Sequence, residues 1–162
     1  MRLLAPEQFH DSVTEISPQQ LVQQGFGCVL LDIDNTLVPR DTHLLSEAIC
    51  EWVAALTVVG LKVCLLSNNW HRTVFAYAER LNVPLVYKAM KPLPFTYLKA
   101  RRRAGAGPGT RTVVIGDQLL TDVFGAHLLG WSAILVRPLS TTDLWYTQIF
   151  RKVEQRLMGG RQ

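Results

Sequence analysis

Short apolar runs alternate with longer helical segments along most of this sequence, and this alternation constrains the fold more than any other feature. Each run is too short for a helix and is bounded by glycine, proline or polar residues, which is typical of buried strands. Strands and helices that alternate at this spacing form right-handed βαβ units, so the sequence predicts an α/β fold with a doubly wound parallel sheet. The predicted strands are 28–31, 61–66, 85–87, 112–115 and 133–136, and the predicted helices are 18–24, 46–56, 72–81, 94–104 and 121–129.

The size and composition of the chain fit one domain. Its 162 residues, of which 48% are hydrophobic and 19% are charged, are enough to bury a core. No repeat, low-complexity tract or long linker divides the sequence. We therefore expect a single domain over 1–162, with an added C-terminal helix at about 142–158.

Composition also predicts a cytoplasmic location. No apolar run approaches the roughly 20 residues that span a bilayer, and Pro6 and Glu7 come too early for a secretory signal. The three cysteines lie in apolar segments without C-x-x-C spacing, which indicates buried free thiols in a reducing compartment. They are Cys28, Cys50 and Cys64.

Two aspartates, Asp32 and Asp34, follow the predicted strand 28–31 directly. Ligands of open α/β sheets bind beyond the carboxyl ends of the strands. Two carboxylates this close repel each other, and both stay ionised only if a cation lies between them. The pair therefore indicates a divalent metal, with one carboxylate free for nucleophilic attack and the other for proton transfer. An isolated Asp-x-Asp is more often a helix cap or an Asx turn, so this interpretation depends on three further motifs.

The next two strands also end in candidate functional residues. Ser67-Asn68-Asn69 follows strand 61–66 and offers a hydroxyl and an amide that can donate to phosphate oxygens, although a helix cap explains the motif equally well. Lys91 follows strand 85–87, and Pro92 favours an extended conformation for it. There the ammonium would offset the charge of phosphate and aspartate, whereas most lone lysines are simply solvated.

The fourth motif, Gly116-Asp117-Gln118-Leu119-Leu120-Thr121-Asp122, follows strand 112–115. Another acid at a strand end completes an oxygen-rich site of the kind that Mg²⁺ requires. Asp122 alone also fits an acid that stabilises a helix N-terminus. The histidines are scattered and show no metal-ligand spacing, so we expect neither a zinc nor an iron centre.

Together the four motifs, in this order at successive strand ends, resemble the haloacid dehalogenase (HAD) superfamily of phosphotransferases. The resemblance covers about 29–136. It implies that Asp32 is the nucleophile that becomes a phosphoaspartate, and that Asp34 protonates the leaving oxygen and later deprotonates water. It also implies that Mg²⁺ is held by the side chains of Asp32 and Asp117 and the backbone carbonyl of Asp34.

The resemblance further assigns the residues that hold the phosphoryl group. Ser67 and Lys91 would bind it, beside the candidate amide of Asn68, and Asp122 would orient neighbouring groups or waters. Such a site works chiefly by positioning and by neutralising charge.

The intervals between motifs leave no room for a mobile cap domain. Asp32 to Ser67 and Ser67 to Lys91 each accommodate about one helix and one strand. Within the superfamily the chain looks closest to the capless class III branch called YqeG-type, which is similar to the mitochondrial phosphatases of phosphatidylglycerophosphate. An uncapped site stays open to bulky substrates.

The resemblance therefore implies a Mg²⁺-dependent phosphomonoesterase that converts phosphatidylglycerophosphate to phosphatidylglycerol at the cytoplasmic membrane face. A phosphatase of another large or soluble phosphate, such as a phosphoprotein or a nucleic-acid end, remains an alternative. A receiver-like phospho-accepting module shares the sheet, acidic pocket, lysine and hydroxyl. However, Asp34 would hydrolyse the phosphoaspartate that a receiver must preserve. An inactive scaffold is a further alternative, although the motif residues are intact.

Basic residues give the chain a net charge of +4, and they cluster at 99–103 and in the C-terminal segment. The first cluster is typical of a helix C-terminus, and it also fits a surface that attracts anions. In the predicted C-terminal helix, an apolar face either packs on the domain or places Trp145 or Tyr146 at a membrane interface. We expect an anionic phospholipid substrate and peripheral membrane contact, with no nucleic-acid partner; the oligomeric state stays open. The basic residues of this helix are Arg151, Lys152 and Arg156.

Overall fold

The computed structural model describes residues 3–140, together with 151–152 and 155–156. Six strands form one sheet: β1 Gln8–His10, β2 Cys28–Leu31, β3 Lys62–Leu66, β4 Leu85–Val86, β5 Thr112–Gly116 and β6 Ser132–Val136. Their order across the sheet is β1-β6-β5-β2-β3-β4, and every neighbouring pair is parallel. The predicted parallel sheet is therefore confirmed, with β2 near its centre.

Five helices connect these strands: α1 Pro18–Gln23, α2 Glu47–Val58, α3 Thr73–Leu81, α4 Pro94–Arg103 and α5 Phe124–Leu128. Serine side chains cap α1 and α2, where Ser17 accepts from the backbone N–H of Gln20 and Ser46 from that of Ile49. Each cap satisfies a backbone donor at the helix start that has no partner inside the helix. The three arginines of the 99–103 cluster, Arg101, Arg102 and Arg103, occupy the last turn of α4, as the helix-end interpretation predicts.

Two parts of the prediction differ from the structure. The last helix was expected at 121–129, but a π-helical turn, Leu119–Val123, comes first and only Phe124–Leu128 is α-helical. The edge strand Gln8–His10 was not predicted, because its three residues are half-buried and form no apolar run. Among the described strands it pairs with β6 alone, so only one of its two sides forms backbone hydrogen bonds with a neighbouring strand.

Hydrophobic residues pack on both faces of the sheet, as a doubly wound fold requires. Along β2, Val29 and Leu31 face one core, while Cys28 and Leu30 face the other. Burial raises the pKa of Cys28 to about 11 and that of Cys64 to about 12, so both stay inert thiols. All three cysteines are free as predicted, but Cys50 is only partly buried.

Within residues 3–140, the intervals between β2 and β3 and between β3 and β4 each contain one helix and no inserted domain, which confirms the capless architecture. No helix of the described residues is both long and apolar enough to cross a bilayer. The predicted helix at 142–158 lies outside the described residues, except for positions 151–152 and 155–156. These positions are helical and exposed.

Candidate active site

The predicted motifs converge at the carboxyl edge of the sheet. Asp32 follows β2 directly, Ser67 follows β3, and Asp117 follows β5. Lys91 lies in the loop after β4. A cleft of about 250 Å³ opens at this edge, and its lining consists of Asp32, Asp34, Arg40, Asn68, Lys91, Gln118 and Thr121.

A buried lysine lies between two of the aspartates. The Nζ of Lys91 is 2.8 Å from Asp32 Oδ1 and 2.7 Å from Asp122 Oδ1, and its side chain is only 3% exposed. Burial lowers the pKa of Lys91, but the Asp122 and Asp32 carboxylates raise it by more, so the net shift is upward. The ammonium is thus a fixed positive charge beside Asp32, and the alternative of a solvated lysine is wrong.

Asp117 provides the test of whether these residues fit a metal ion. Carboxylate oxygens of Asp32, Asp117 and Asp122 all lie within 4.8 Å of one another. Burial, followed by the charges of Asp32 and Asp122, raises the pKa of Asp117 to about 9. Its Oδ2 is buried without a hydrogen-bond partner in the part of the chain that the structure describes. A cation at this oxygen would remove both the repulsion and the unsatisfied acceptor, so the site fits a hard divalent cation.

The third carboxylate of this cluster is Asp122, whereas the expected third metal ligand was the backbone carbonyl of Asp34. Both oxygens of Asp122 already accept from the protein, Oδ1 from Lys91 and Oδ2 from the Gln118 backbone N–H at 3.1 Å. Burial raises the pKa of Asp122 to about 6, although Lys91 opposes this shift. Asp122 therefore holds the lysine, and Asp117 keeps the free oxygen.

Thr36 is a site residue that was assigned no role from the sequence. Its hydroxyl lies 3.0 Å from Asp32 Oδ2 and 3.2 Å from Asp117 Oδ1, so one proton is shared between two carboxylates. A turn brings it there, in which the Leu37 N–H donates to Ile33 O at 2.9 Å. Thr36 lies two residues after Asp34, and that spacing was the signal available in the sequence.

Asn69 is a second residue that the sequence left without a role. Its Nδ2 lies 3.3 Å from each carboxylate oxygen of Asp34. The Asp34 side chain is half-buried and lies on the wall of the cleft. This amide orients Asp34 while leaving it in contact with solvent. Asp34 is thus held by one neutral donor, unlike Asp32, which contacts a cation.

The structure gives the two preceding residues local contacts. Asn68 accepts from the Lys91 backbone N–H at 2.7 Å and donates to the Lys91 carbonyl at 3.2 Å, which fixes the lysine loop. Ser67 is fully buried, and its Oγ accepts from the Asn69 backbone N–H at 3.0 Å. This contact closes a local turn and is not a helix cap, because α3 begins only at Thr73 and has no side-chain cap, so the capping interpretation of the motif is wrong. Phosphate binding by Ser67 and Asn68 stays a prediction.

Gly116 explains how Asp122 reaches the lysine. A Cβ at this position would lie 2.1 Å from Asp122 Oδ2, so only glycine leaves room for the carboxylate. The π-helical turn Leu119–Val123 then presents Asp122, whose N–H donates to Gln118 O at 3.0 Å. Single π turns inside helices are frequent at functional sites.

This geometry defines a class of protein. At the carboxyl edge of the sheet, an aspartate lies beside a lysine counter-charge and beside a second carboxylate that fits a cation. This arrangement is typical of metal-dependent phosphoryl transfer on an α/β sheet. A family model described as HAD-hydrolase-like matches residues 89–145. The chain is 35% identical over 158 residues to the Bacillus subtilis (strain 168) protein named Probable phosphatase YqeG, which covers 98% of this chain and 91% of that protein.

Solved structures agree on the fold. A chain described as a HAD family hydrolase from Streptomyces avermitilis MA-4680 superposes with a TM-score of 0.55 at 22% identity, over 68% of this chain and 72% of that one. The cobalt-bound deoxy-D-mannose-octulosonate 8-phosphate phosphatase (YrbI) of Haemophilus influenzae superposes with a TM-score of 0.52 at 11% identity, over 83% and 91%. The chain therefore belongs to the haloacid dehalogenase superfamily, as a phosphatase. This membership removes the receiver-like module as an alternative.

Proposed function

We propose that this phosphatase is a Mg²⁺-dependent phosphomonoesterase that works through a phosphoaspartate on Asp32 and dephosphorylates phosphatidylglycerophosphate. The observation that carries the mechanism is the position of the Asp32 carboxylate. It lines an open cleft, while one oxygen contacts Lys91 and the other contacts Thr36. Both contacts orient the carboxylate, and neither removes its charge.

In the first step an oxygen of Asp32 attacks phosphorus, and the bond from phosphorus to the leaving oxygen breaks. Asp34 donates a proton to that oxygen, so an alcohol leaves. In the second step Asp34 accepts a proton from water, whose oxygen attacks phosphorus. The bond to Asp32 then breaks, which releases phosphate and restores both aspartates.

Charge control supports the choice of these residues. Lys91, fixed by Asp122, neutralises negative charge at the phosphoryl group without changing its own position. Asp32 and Asp117, with the Asp34 carbonyl, would hold the cation. When bound, Mg²⁺ would neutralise phosphoryl oxygens and lower the repulsion between phosphate and Asp32.

The substrate is inferred from the open cleft and from the resemblance to phosphatidylglycerophosphate phosphatases. No inserted domain covers the cleft within residues 3–140, so a headgroup that stays attached to a membrane has access. We propose a cytoplasmic protein in peripheral contact with the inner membrane face. The exposed cations at Arg151, Lys152 and Arg156 support such contact.

A substrate panel tests this proposal. The purified full-length protein is assayed with Mg²⁺ on vesicle-borne phosphatidylglycerophosphate, phosphopeptides, oligonucleotides with terminal phosphates and small sugar phosphates. We expect the lipid to be preferred by at least about tenfold in kcat/KM, because only differences in transition-state binding discriminate substrates. Asp32→Asn serves as the inactive control. A phosphopeptide or an oligonucleotide end that outperforms the lipid would replace the proposed substrate and keep the mechanism.

A further inference from the structure

Several large exposed hydrophobic side chains lie on loops at the carboxyl edge of the sheet. In the part of the chain that the structure describes, seven lie on segments that follow the carboxyl ends of strands: Leu44, Trp70, Tyr87, Met90, Leu93, Leu120 and Leu139. Others lie toward the amino edge, before β1 or at the ends of α1, α2 and α5: Leu3, Leu4, Val22, Val58 and Leu128. Single exposed hydrophobic residues are normal on any protein, so the side chains that adjoin the catalytic cleft are the ones that indicate an interaction surface.

Four of these residues are near neighbours in sequence of residues that line the cleft, and we call them the rim: Trp70, Met90, Leu93 and Leu120. Each is within two positions of a residue that lines the cleft, namely Asn68, Lys91 or Thr121. Trp70 is 70% exposed and Leu120 is 66% exposed. Exposed apolar side chains therefore flank, along the chain, the residues that line the catalytic cleft.

Part of this surface is preformed. The ring centroids of Phe75 and Tyr87 lie 4.7 Å apart in an edge-to-face arrangement. Lys88 Nζ lies 4.7 Å from the ring centroid of Trp70 and 5.5 Å from that of Tyr87. The Lys88 N–H also donates to Asn69 O at 3.2 Å, which joins the two loops. Trp70 is thus oriented by a cation on its face while the ring remains exposed.

The exposed charges on the same loops are mainly positive. Arg40, Arg72 and Lys88 form no ion pair with any carboxylate of the described residues. Asp41 is the exposed acid on the loop after β2. Apolar and aromatic side chains beside unpaired cations match an anionic lipid surface, where aromatic rings lie at headgroup level and cations contact phosphate.

We propose that the rim and its neighbouring cations dock the protein on an anionic bilayer, with the cleft facing the headgroups. An anionic bilayer is favoured over a protein partner because the rim adjoins a site for a phosphate group and has unpaired cations beside it. The inference deepens the proposed function, on which it rests for its substrate. Docking would bring a membrane-borne phosphomonoester to Asp32 without removing it from the lipid.

The test uses the full-length protein and vesicles of phosphatidylcholine with or without one third phosphatidylglycerol. The apolar variant is Trp70→Ser combined with Leu120→Ser, and the charge variant is Arg72→Glu combined with Lys88→Glu. The control, Val58→Ser with Leu128→Ser, removes exposed apolar side chains at helix ends away from the rim. Flotation measures binding, and a soluble aryl phosphate measures the chemistry separately.

We expect the wild-type protein to bind the anionic vesicles, with binding that weakens as salt rises. The apolar variant and the charge variant should each lose about tenfold in vesicle affinity, since insertion and electrostatic attraction contribute together. Aryl phosphate turnover should stay within about twofold of wild type in both, because neither pair contacts the reacting group. The control variant should bind vesicles as the wild type does.

Failure of docking and failure of the proposed substrate are distinguishable. If the wild-type protein binds the vesicles but does not hydrolyse phosphatidylglycerophosphate, the docking proposal stands and the proposed substrate is wrong. Hydrolysis with unchanged vesicle binding in the apolar variant overturns docking alone. Absence of wild-type binding, or an equal loss in the control variant, also overturns it. Self-association of the wild type that the apolar variant abolishes, with vesicle binding unchanged, would assign the rim to a protein interface instead.

Discussion

One cleft lies at the carboxyl ends of the strands, which we call the carboxyl edge, and a larger one lies at their amino ends, the amino edge. The larger cleft is therefore at the edge without the catalytic motifs. The amino-edge cleft, of about 360 Å³, is lined by side chains that include Arg101, Arg111 and Trp131. The carboxyl-edge cleft has only about 250 Å³. Volume therefore does not identify the active site in this protein.

The electrostatic environment separates the two edges. At the amino edge, the guanidinium of Arg101 lies 4.9 Å from the ring centroid of Trp131, and that of Arg111 lies 4.6 Å from the ring centroid of Phe26. These are partly or fully exposed cations that stack on aromatic rings, and they need no further partner. At the carboxyl edge, buried aspartates repel one another around Lys91, and Asp117 Oδ2 has no hydrogen-bond partner among the residues that the structure describes. Costly buried charge of this kind indicates chemistry.

The sharpest test of this contrast is Asp32→Asn, which keeps the shape of the side chain and removes the attacking charge. We expect turnover to fall by more than about a thousandfold, as when a nucleophile is removed. Asp41→Asn is the matched control, because Asp41 is exposed on the same loop. Steady-state assays with Mg²⁺ measure both variants. Near-normal activity in Asp32→Asn would contradict the covalent mechanism.

Asp34→Asn separates the two chemical steps. An aryl leaving group needs little protonation, so we expect a burst of aryl alcohol followed by slow hydrolysis of the phosphoaspartate. An alkyl phosphate should lose about 10²–10⁴-fold in the first step, because its leaving oxygen requires the proton. Rapid-mixing measurements of both substrates provide the comparison. An equal loss for the two leaving groups would show that Asp34 is not the general acid.

Much of the candidate site at the carboxyl edge could be predicted from the sequence, because parallel strands bring their carboxyl ends together. Asp32, Ser67 and Asp117 follow strands directly, so strand prediction was enough to group them. The roles of Thr36 and Asn69 depend on how two loops fold back, which apolar periodicity does not encode. Their contacts form only when these loops are folded.

Other features escaped the sequence for different physical reasons. The edge strand Gln8–His10 has no apolar run, and the π-helical turn Leu119–Val123 has the same composition as an ordinary helix start. The exposure of Trp70 was not predicted, because an aromatic residue is more often buried than presented to solvent. The amino-edge cleft depends on Arg101 meeting Trp131, a contact between segments distant in sequence.

Lys91→Met removes a buried cation at the carboxyl edge, and its effect can be compared with the loss of an exposed cation at the amino edge. It leaves the Asp32 and Asp122 carboxylates buried without their counter-charge, so we expect a destabilisation of about 3–5 kcal/mol and loss of activity. Adding Asp122→Asn should restore part of the stability and none of the activity. Lys62→Met is the matched control, because Lys62 is exposed at the amino end of β3. Denaturant unfolding that gives equal losses for the two lysines would contradict the buried ion pairs.

Metal binding should depend on Asp117. At a Mg²⁺ concentration about a hundred times Kd, binding stabilises the folded state by about 2.7 kcal/mol, which raises Tm by about 5–10 °C for a chain of this size. Asp117→Asn should abolish this shift, because it removes the unpaired carboxylate oxygen. Its metal-free Tm should be no lower than that of wild type, since the cost of burying a carboxyl group beside Asp32 and Asp122 is also removed. A full Mg²⁺ shift in Asp117→Asn would assign the cation to other ligands.

The smallest effect should come from the amino-edge cleft. In Arg101→Gln combined with Arg111→Gln, each lost cation–π contact costs about 0.5–1 kcal/mol, so Tm should fall by a few degrees. We expect kcat/KM for an aryl phosphate to stay within about twofold of wild type, because both residues lie at the opposite edge from Asp32. Thermal melts and steady-state assays on the same preparations give both values. A loss of tenfold or more in kcat/KM with an unchanged Tm would contradict this prediction. It would show that the two clefts are coupled and that the larger one contributes to catalysis from the opposite edge of the sheet.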